Sequence, residues 1–100
     1  MCIRDSLYAL LRSTGLPLPA SNSRVNGEEF DFIWHRERVI AEYDSYAFHA
    51  QPDRFIRDRE KQNAAVAAGY RILRFADPDV ERPARLLVQI GVELSRTLAA

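Results

Sequence analysis

The stretch "FDFIWHRERVIAEYD", residues 30–44, decides the fold because it predicts two β-strands joined by a tight polar turn. Phe30, Phe32 and Trp34 recur at the two-residue spacing of a strand. The letters HRER form the turn, and Arg38 to Asp44 is a second run rich in strand-forming residues. We therefore expect a hairpin at the centre of the fold.

The rest of the chain predicts helices and two more strands around this hairpin. The predicted elements are a helix with Leu7, Leu10 and Leu11, a short strand over Val25–Gly27, a helix over Pro52–Ala68, a strand over Tyr70–Ala76, a loop over residues 77–83, and a helix over Ala84–Leu98 with Leu87, Ile90, Leu94 and Leu98 on one face. This order is helix, three strands, helix, strand, helix. It indicates an α/β fold of the α+β, mixed-sheet kind, in which the strands joined by the long helix are parallel.

The composition is that of an ordinary water-soluble domain. The chain has 100 residues, 47% of them hydrophobic and 28% charged, with a formal net charge of zero. That length fits one domain, and no apolar run approaches the roughly 20 residues needed to span a membrane. Cys2 is the single cysteine, so it cannot form an internal disulfide. We expect a cytoplasmic protein.

The first six residues, "MCIRDS", match the translation of a transposon-end adapter used in preparing sequencing libraries. We expect residues 1–6 to be non-native and residues 7–100 to be a single, N-terminally truncated domain. The alternative is a natural N-terminus that has the same sequence.

Three acids lie inside the predicted hairpin. Pairing Trp34 with Val39 across the turn places Asp31 opposite Glu42, and Asp44 points to the same face as Glu42. Directly opposed like charges destabilise a sheet, and a hard divalent cation would compensate for them. The sequence therefore predicts a metal site here. The alternative is a solvent-exposed sheet face without chemistry.

The long helix carries one stripe that we expect to face the sheet. The stripe, defined by a spacing of four, three and four residues, consists of Phe55, Arg59, Gln62 and Val66. An inward Arg59 needs the carboxylates as partners, either as a structural ion pair or in catalysis; its long stem reaching out to water is a further alternative. His49, just before this helix, is a candidate for proton transfer or a surface residue.

Several motifs together resemble a known family. "GLPLP", the two hairpin strands, "RDREKQ" and "GYRILRFADPDV" resemble the small bacterial endonuclease-like domains related to very-short-patch-repair endonucleases, within the PD-(D/E)XK restriction-endonuclease-like superfamily. The resemblance runs from about Leu7 to the end. It implies a restriction-endonuclease-like core and Mg²⁺-dependent cleavage of DNA, with Mn²⁺ as an alternative ion, in repair or defence.

The resemblance also implies roles for particular residues. Asp31 corresponds to the first Asp of the motif and Glu42 to its second acid, while Asp44 stands where many relatives carry Lys. His49 matches a His that follows the second strand, and Arg59 belongs to the helix motif. The expected metal ligands are Asp31, Glu42 and Asp44, and His49 and Arg59 complete the expected catalytic set.

The chain departs from the family pattern at three places. Ser45 stands where relatives have Gly, Gln62 where they have Asp, and Arg4 falls near the place of a Glu on the first helix. These departures keep a second function open, a catalytically degenerate nucleic-acid-binding or regulatory module attached to a DNA-binding, antitoxin-like protein. The intact protein would then carry an N-terminal DNA-binding domain. The DNA target and the oligomeric state stay open.

Overall fold

Helices cover both faces of one four-stranded mixed sheet. The computed structural model describes residues 3–44 and 52–98. Its elements are α1 (Ile3–Thr14), β1 (Ala20–Val25), β2 (Glu28–Trp34), β3 (Val39–Tyr43), α2 (Pro52–Ala67), β4 (Arg71–Phe75), α3 (Asp77–Glu81) and α4 (Pro83–Leu98). The strands lie in the order β1-β2-β3-β4, with β3 and β4 parallel and the other neighbours antiparallel. The predicted fold class and the parallel pair are confirmed.

The central hairpin has the predicted register. Trp34 pairs with Val39, and Ile33 pairs with Ile40. Arg38 closes the turn with a φ of +58°, in the left-handed region. All four paired side chains are buried, because both faces of the sheet are covered and a strand covered on both sides is apolar at successive positions.

The sheet separates two hydrophobic cores. The α1/α4 core lies between the sheet and helices α1 and α4, and contains Leu7, Leu11, Phe32, Trp34, Val39, Ala41, Phe75, Leu86, Ile90 and Leu94. The α2 core lies on the other face beneath α2, and contains Val25, Phe30, Ile33, Ile40 and Ala65. The larger core anchors the sheet, and the smaller one fixes α2 beside the hairpin.

The first strand lies earlier than predicted. It spans Ala20–Val25 instead of Val25–Gly27, and it pairs with β2 along its length. The Asn26-Gly27 turn itself is confirmed, with φ values of +52° and +82° typical of a tight hairpin turn. The strand was missed because it is a polar edge strand, so its sequence lacks the apolar alternation that marks buried strands.

One short helix was not predicted, and the first helix begins within residues 1–6. The segment predicted as a loop contains α3, Asp77–Glu81, where the Asp79 carboxylate accepts a hydrogen bond of 2.8 Å from the Ala76 backbone N–H. That bond satisfies a donor at the start of the helix. Helix α1 begins at Ile3, and the Ile3 side chain packs against the α1/α4 core.

Helix α4 buries a slightly rotated face. Leu86, Ile90 and Leu94 are buried, at a spacing of four residues, while Leu87 is only half-buried. The prediction for Leu98 concerns a side chain that the structure does not describe. None of the helices in the two described ranges is long and apolar enough to cross a bilayer.

Helix α2 faces the sheet with a different stripe from the predicted one, so the inward stripe is wrong. Its members are exposed, namely Phe55, Arg59, Gln62 and Val66. Ala65 is fully buried instead, and Lys61 and Ala68 beside it are half-buried. The reason is volume: the sheet already supplies large apolar side chains to the α2 core, so small residues of α2 pack closest to it.

Gly69 provides a test of the backbone at the end of α2. Its φ is +84°, and an added Cβ would lie 3.1 Å from Arg38 Nη1. We expect Gly69→Ala to lower the free energy of unfolding by about 1–2 kcal/mol, because Ala is strained at positive φ. Gly91→Ala is the control. Its Cβ would lie 3.8 Å from Leu16 in an ordinary helix, so we expect a gain of up to about 1 kcal/mol. Urea denaturation measures both, and equal shifts in one direction would contradict the prediction.

Candidate active site

Strand β2 changes the face it presents at Asp31. Phe30 lies in the α2 core and Phe32 in the α1/α4 core, although residues two apart in a regular strand share a face. The β1–β2 ladder skips Asp31, and Asn22 beside it has a φ of +47°. Asn tolerates this left-handed conformation better than most residues. Because of this irregularity, the side chains of β2 do not alternate regularly between the two faces of the sheet at Asp31.

The carboxylates of Asp31 and Glu42 each accept a hydrogen bond from the backbone of the opposite strand. The Asp31 backbone N–H donates to Glu42 Oε2 at 2.9 Å, and the Tyr43 backbone N–H donates to Asp31 Oδ2 at 2.9 Å. Each carboxylate therefore accepts an N–H from the opposite strand, just beyond the last backbone pair of the hairpin. The structure brings together the two acids that the predicted register placed opposite each other.

Lys61 of α2 is the third charged group at this place. Its Nζ donates to Glu42 Oε1 at 3.1 Å and lies 5.0 Å from the centre of the Phe30 ring. Glu42 is 8% exposed, so this ion pair is largely shielded from water. A charge in such surroundings is stable only with partners, and Lys61 supplies one.

The pKa of Glu42 is raised towards neutral pH. Burial, and next the neighbouring Asp31 carboxyl group, raise the pKa of Glu42 from 4.5 to about 6, against the opposing effects of the Asp31 backbone N–H and the Lys61 charge. Glu42 therefore titrates where a group involved in proton transfer or pH-dependent metal binding is useful.

Asp44 forms an ion pair of its own, with Arg74. Its Oδ1 accepts a hydrogen bond of 3.1 Å from Arg74, which sits opposite Glu42 in the parallel ladder. Asp44 lines a shallow cleft of about 180 Å³ that is otherwise formed mainly by α2. Arg59 lines the same cleft, with its guanidinium 4.9 Å from the centre of the Phe55 ring. Arg59 is therefore exposed to solvent at the cleft that Asp44 lines.

Asp31 lines a second cleft, of about 140 Å³, on the α1 side of the sheet. Ile3 and Arg4 of α1 form its opposite wall, with Tyr43 beside them. The Tyr43 hydroxyl donates to Asp77 at 2.6 Å, which raises the pKa of Tyr43. Arg4, near which the family resemblance places a Glu, therefore lines the same cleft as Asp31.

The structure brings together two of the three expected metal ligands, Asp31 and Glu42. Among the side chains of residues 3–44 and 52–98, no group of three or more His, Cys, Asp or Glu is placed to hold a metal ion. Asp31 and Glu42 remain as a pair, and their oxygens suit Mg²⁺, which binds through one or two carboxylates together with water and substrate phosphates. Asp44 as a third ligand stays a prediction. His49 and Ser45 lie outside the described residues.

Lys61 and Arg74 were not identified as site residues from the sequence. Ala64, Ala65 and Ala68 are the signal that could have located Lys61, because small residues at helical spacing mark the face that packs closest to a sheet. Arg74 follows from the parallel register once β3 and β4 are aligned.

The raised pKa of Glu42 predicts how stability depends on pH. Because the folded state binds this proton more tightly, its stabilising contribution is complete below pH 4.5 and is lost as the pH rises through about 6. We expect Glu42→Gln to be more stable than the parent by roughly 1–2 kcal/mol above that range and unchanged below it. Urea unfolding across pH measures this. Glu81→Gln, at an exposed acid, is the control; an identical pH slope in both variants would contradict the assignment.

The sequence of the chain is similar to those of two proteins of unknown function. No family model matches the chain. Two uncharacterized proteins of Mycobacterium tuberculosis, MT2308 of strain CDC 1551 and Rv2248 of strain H37Rv, are 34% identical over 92 residues, which cover 86% of this chain and 34% of each relative. The chain thus spans about a third of the length of these relatives.

A solved structure matches nearly the whole chain. The catalytic domain of the homing endonuclease I-Bth0305I superimposes with a TM-score of 0.76 at 15% sequence identity, and the match covers 94% of both chains. The shared sheet and helices confirm the endonuclease-like core that the sequence predicted. The chain therefore has the fold of a homing endonuclease catalytic domain.

Proposed function

We propose that this domain is a metal-dependent nuclease that hydrolyses DNA phosphodiester bonds at the Asp31–Glu42 pair. The observation that carries the proposal is that each of these two carboxylates accepts a backbone hydrogen bond from the opposite strand, at the point where β2 changes face. The resemblance of the fold to an endonuclease catalytic domain makes DNA the favoured substrate. A role in DNA repair or defence belongs to the same proposal.

Different residues of the site would hold the metal ion and contact the DNA. A bound Mg²⁺ or Mn²⁺ would supply Lewis-acid stabilisation of the phosphoryl oxygens. Asp31 and Glu42 provide oxygens for it from the two strands, and the hydrogen bonds from the backbone hold both carboxylates in place. Arg59 is exposed on α2, a position that favours contact with a DNA phosphate over ordering of the acids. His49 is assigned to position water or protonate the leaving oxygen.

A second candidate function is a DNA-binding module without catalysis. It is favoured by the cations placed around the acids: Lys61 on Glu42, Arg74 on Asp44, and Arg4 in the cleft of Asp31. Each of them supplies positive charge where a metal ion would otherwise be needed. DNA binding without cleavage under any divalent ion would support this function.

Replacing Asp31 tests the nuclease proposal. We expect Asp31→Asn to reduce nicking of supercoiled plasmid by at least about a hundredfold, because one of two metal-binding carboxylates loses its charge. Glu29→Gln removes an exposed carboxylate from the same strand and should leave the rate unchanged. Gel assays with Mg²⁺ and with Mn²⁺ measure the rates. Equal rates in the parent and Asp31→Asn would overturn the site assignment.

Replacing Arg4 by Glu tests the proposal by a change that should strengthen metal binding. Because it lines the Asp31 cleft, its charge disfavours a cation there, and a carboxylate would add an oxygen ligand. We expect Arg4→Glu to lower the Mg²⁺ concentration needed for half-maximal nicking by roughly threefold to tenfold. Arg12→Glu, an exposed change on the same helix, is the control. A higher Mg²⁺ requirement in Arg4→Glu would contradict the placement of the ion.

A further inference from the structure

We propose that Lys61 is the resting counter-ion of the Asp31–Glu42 pair, and that it competes with a divalent cation for Glu42. The inference rests on the proposed metal-dependent function and extends it to a residue outside the acid motif. Lys61 acts through Glu42 and is a positioning residue.

Lys61 has a less exposed side chain than the neighbouring cation Arg57 on the same helix. Its side chain is 25% exposed, whereas the side chain of Arg57, one turn earlier, is 56% exposed. The ammonium group lies above the Phe30 ring at the edge of the α2 core. An aromatic face attracts a cation, so the ring and the Glu42 carboxylate together hold Nζ in position.

The hydrogen bonds of Glu42 explain why a metal ion and Lys61 compete. Oε2 accepts the Asp31 backbone N–H, and Oε1 accepts Lys61 Nζ. The Asp31 bond belongs to the framework that joins β2 to β3, whereas the lysine bond depends on a flexible side chain. A cation that binds Glu42 most readily does so through Oε1, where it meets the ammonium charge directly.

Two other cations near the site have different partners. Arg74 is paired with Asp44, and Arg57 is paired with Glu28. Among the residues that the structure describes, Lys61 is the cation in a salt bridge with Glu42. Without Lys61, two adjacent carboxylates would repel each other in a largely buried position. Lys61 therefore keeps the pair assembled before an ion arrives.

Titration calorimetry with Mn²⁺ tests the competition. At about pH 8, where free carboxyl groups are ionised, we expect Lys61→Met to bind Mn²⁺ about threefold to tenfold more tightly than the parent. Methionine keeps an unbranched stem over Phe30 and removes the charge. Lys61→Arg restores the charge and should bind as the parent does, and Arg57→Met is the control for loss of a cation elsewhere on α2. Lys61→Gln replaces the Met variant if circular dichroism shows the latter to be unfolded.

The outcomes separate this inference from the proposed function. Tighter binding in Lys61→Met, with no DNA cleavage by any variant, supports the counter-ion role and removes the nuclease proposal. DNA cleavage by the parent, with equal Mn²⁺ affinity in Lys61→Met and the parent, overturns the counter-ion role alone. Equal gains in Lys61→Met and Lys61→Arg would also overturn it, because the charge would then be irrelevant.

Discussion

The rest of the site depends on one constraint: the carboxylates of Asp31 and Glu42 are each held by a backbone hydrogen bond from the opposite strand. Two carboxylates on adjacent strands ordinarily destabilise a sheet. Here each accepts a backbone N–H from the other strand, at 2.9 Å in both cases, so the acids replace the backbone ladder where it ends. Removing either carboxylate therefore removes a hydrogen bond between β2 and β3 as well as a negative charge. This dual use couples the chemistry of the site to the geometry of the hairpin.

The two faces of the sheet serve different purposes around this pair. The α1/α4 core supplies most of the buried apolar residues and anchors the strands, while the smaller α2 core places Lys61 beside Glu42. Helix α2 packs on the sheet through Ala65, and its Arg57 and Lys61 side chains reach Glu28 of β2 and Glu42 of β3. The change of face at Asp31 places the acid pair between these two environments.

Much of the fold, and part of the site, follows from sequence reasoning. The alternation around Trp34 and the turn after it were sufficient for the hairpin register, and that register brought Asp31 to Glu42. The face of α2 was predicted wrongly because Phe55 and Val66 were assumed to be buried, whereas the strands had already filled that space. The irregularity at Asp31 depends on backbone torsions in a polar edge strand, which apolar periodicity does not reveal.

The most direct measurement of the central claim is the position of a bound ion. Crystals grown with Mn²⁺ and examined by anomalous difference density locate the metal without relying on activity. We expect one Mn²⁺ bonded by carboxylate oxygens of both Asp31 and Glu42, with Lys61 Nζ withdrawn from Oε1. Mn²⁺ bound by other side chains, or the acid pair and Lys61 unchanged at saturating Mn²⁺, would contradict the claim that these two acids form the metal site.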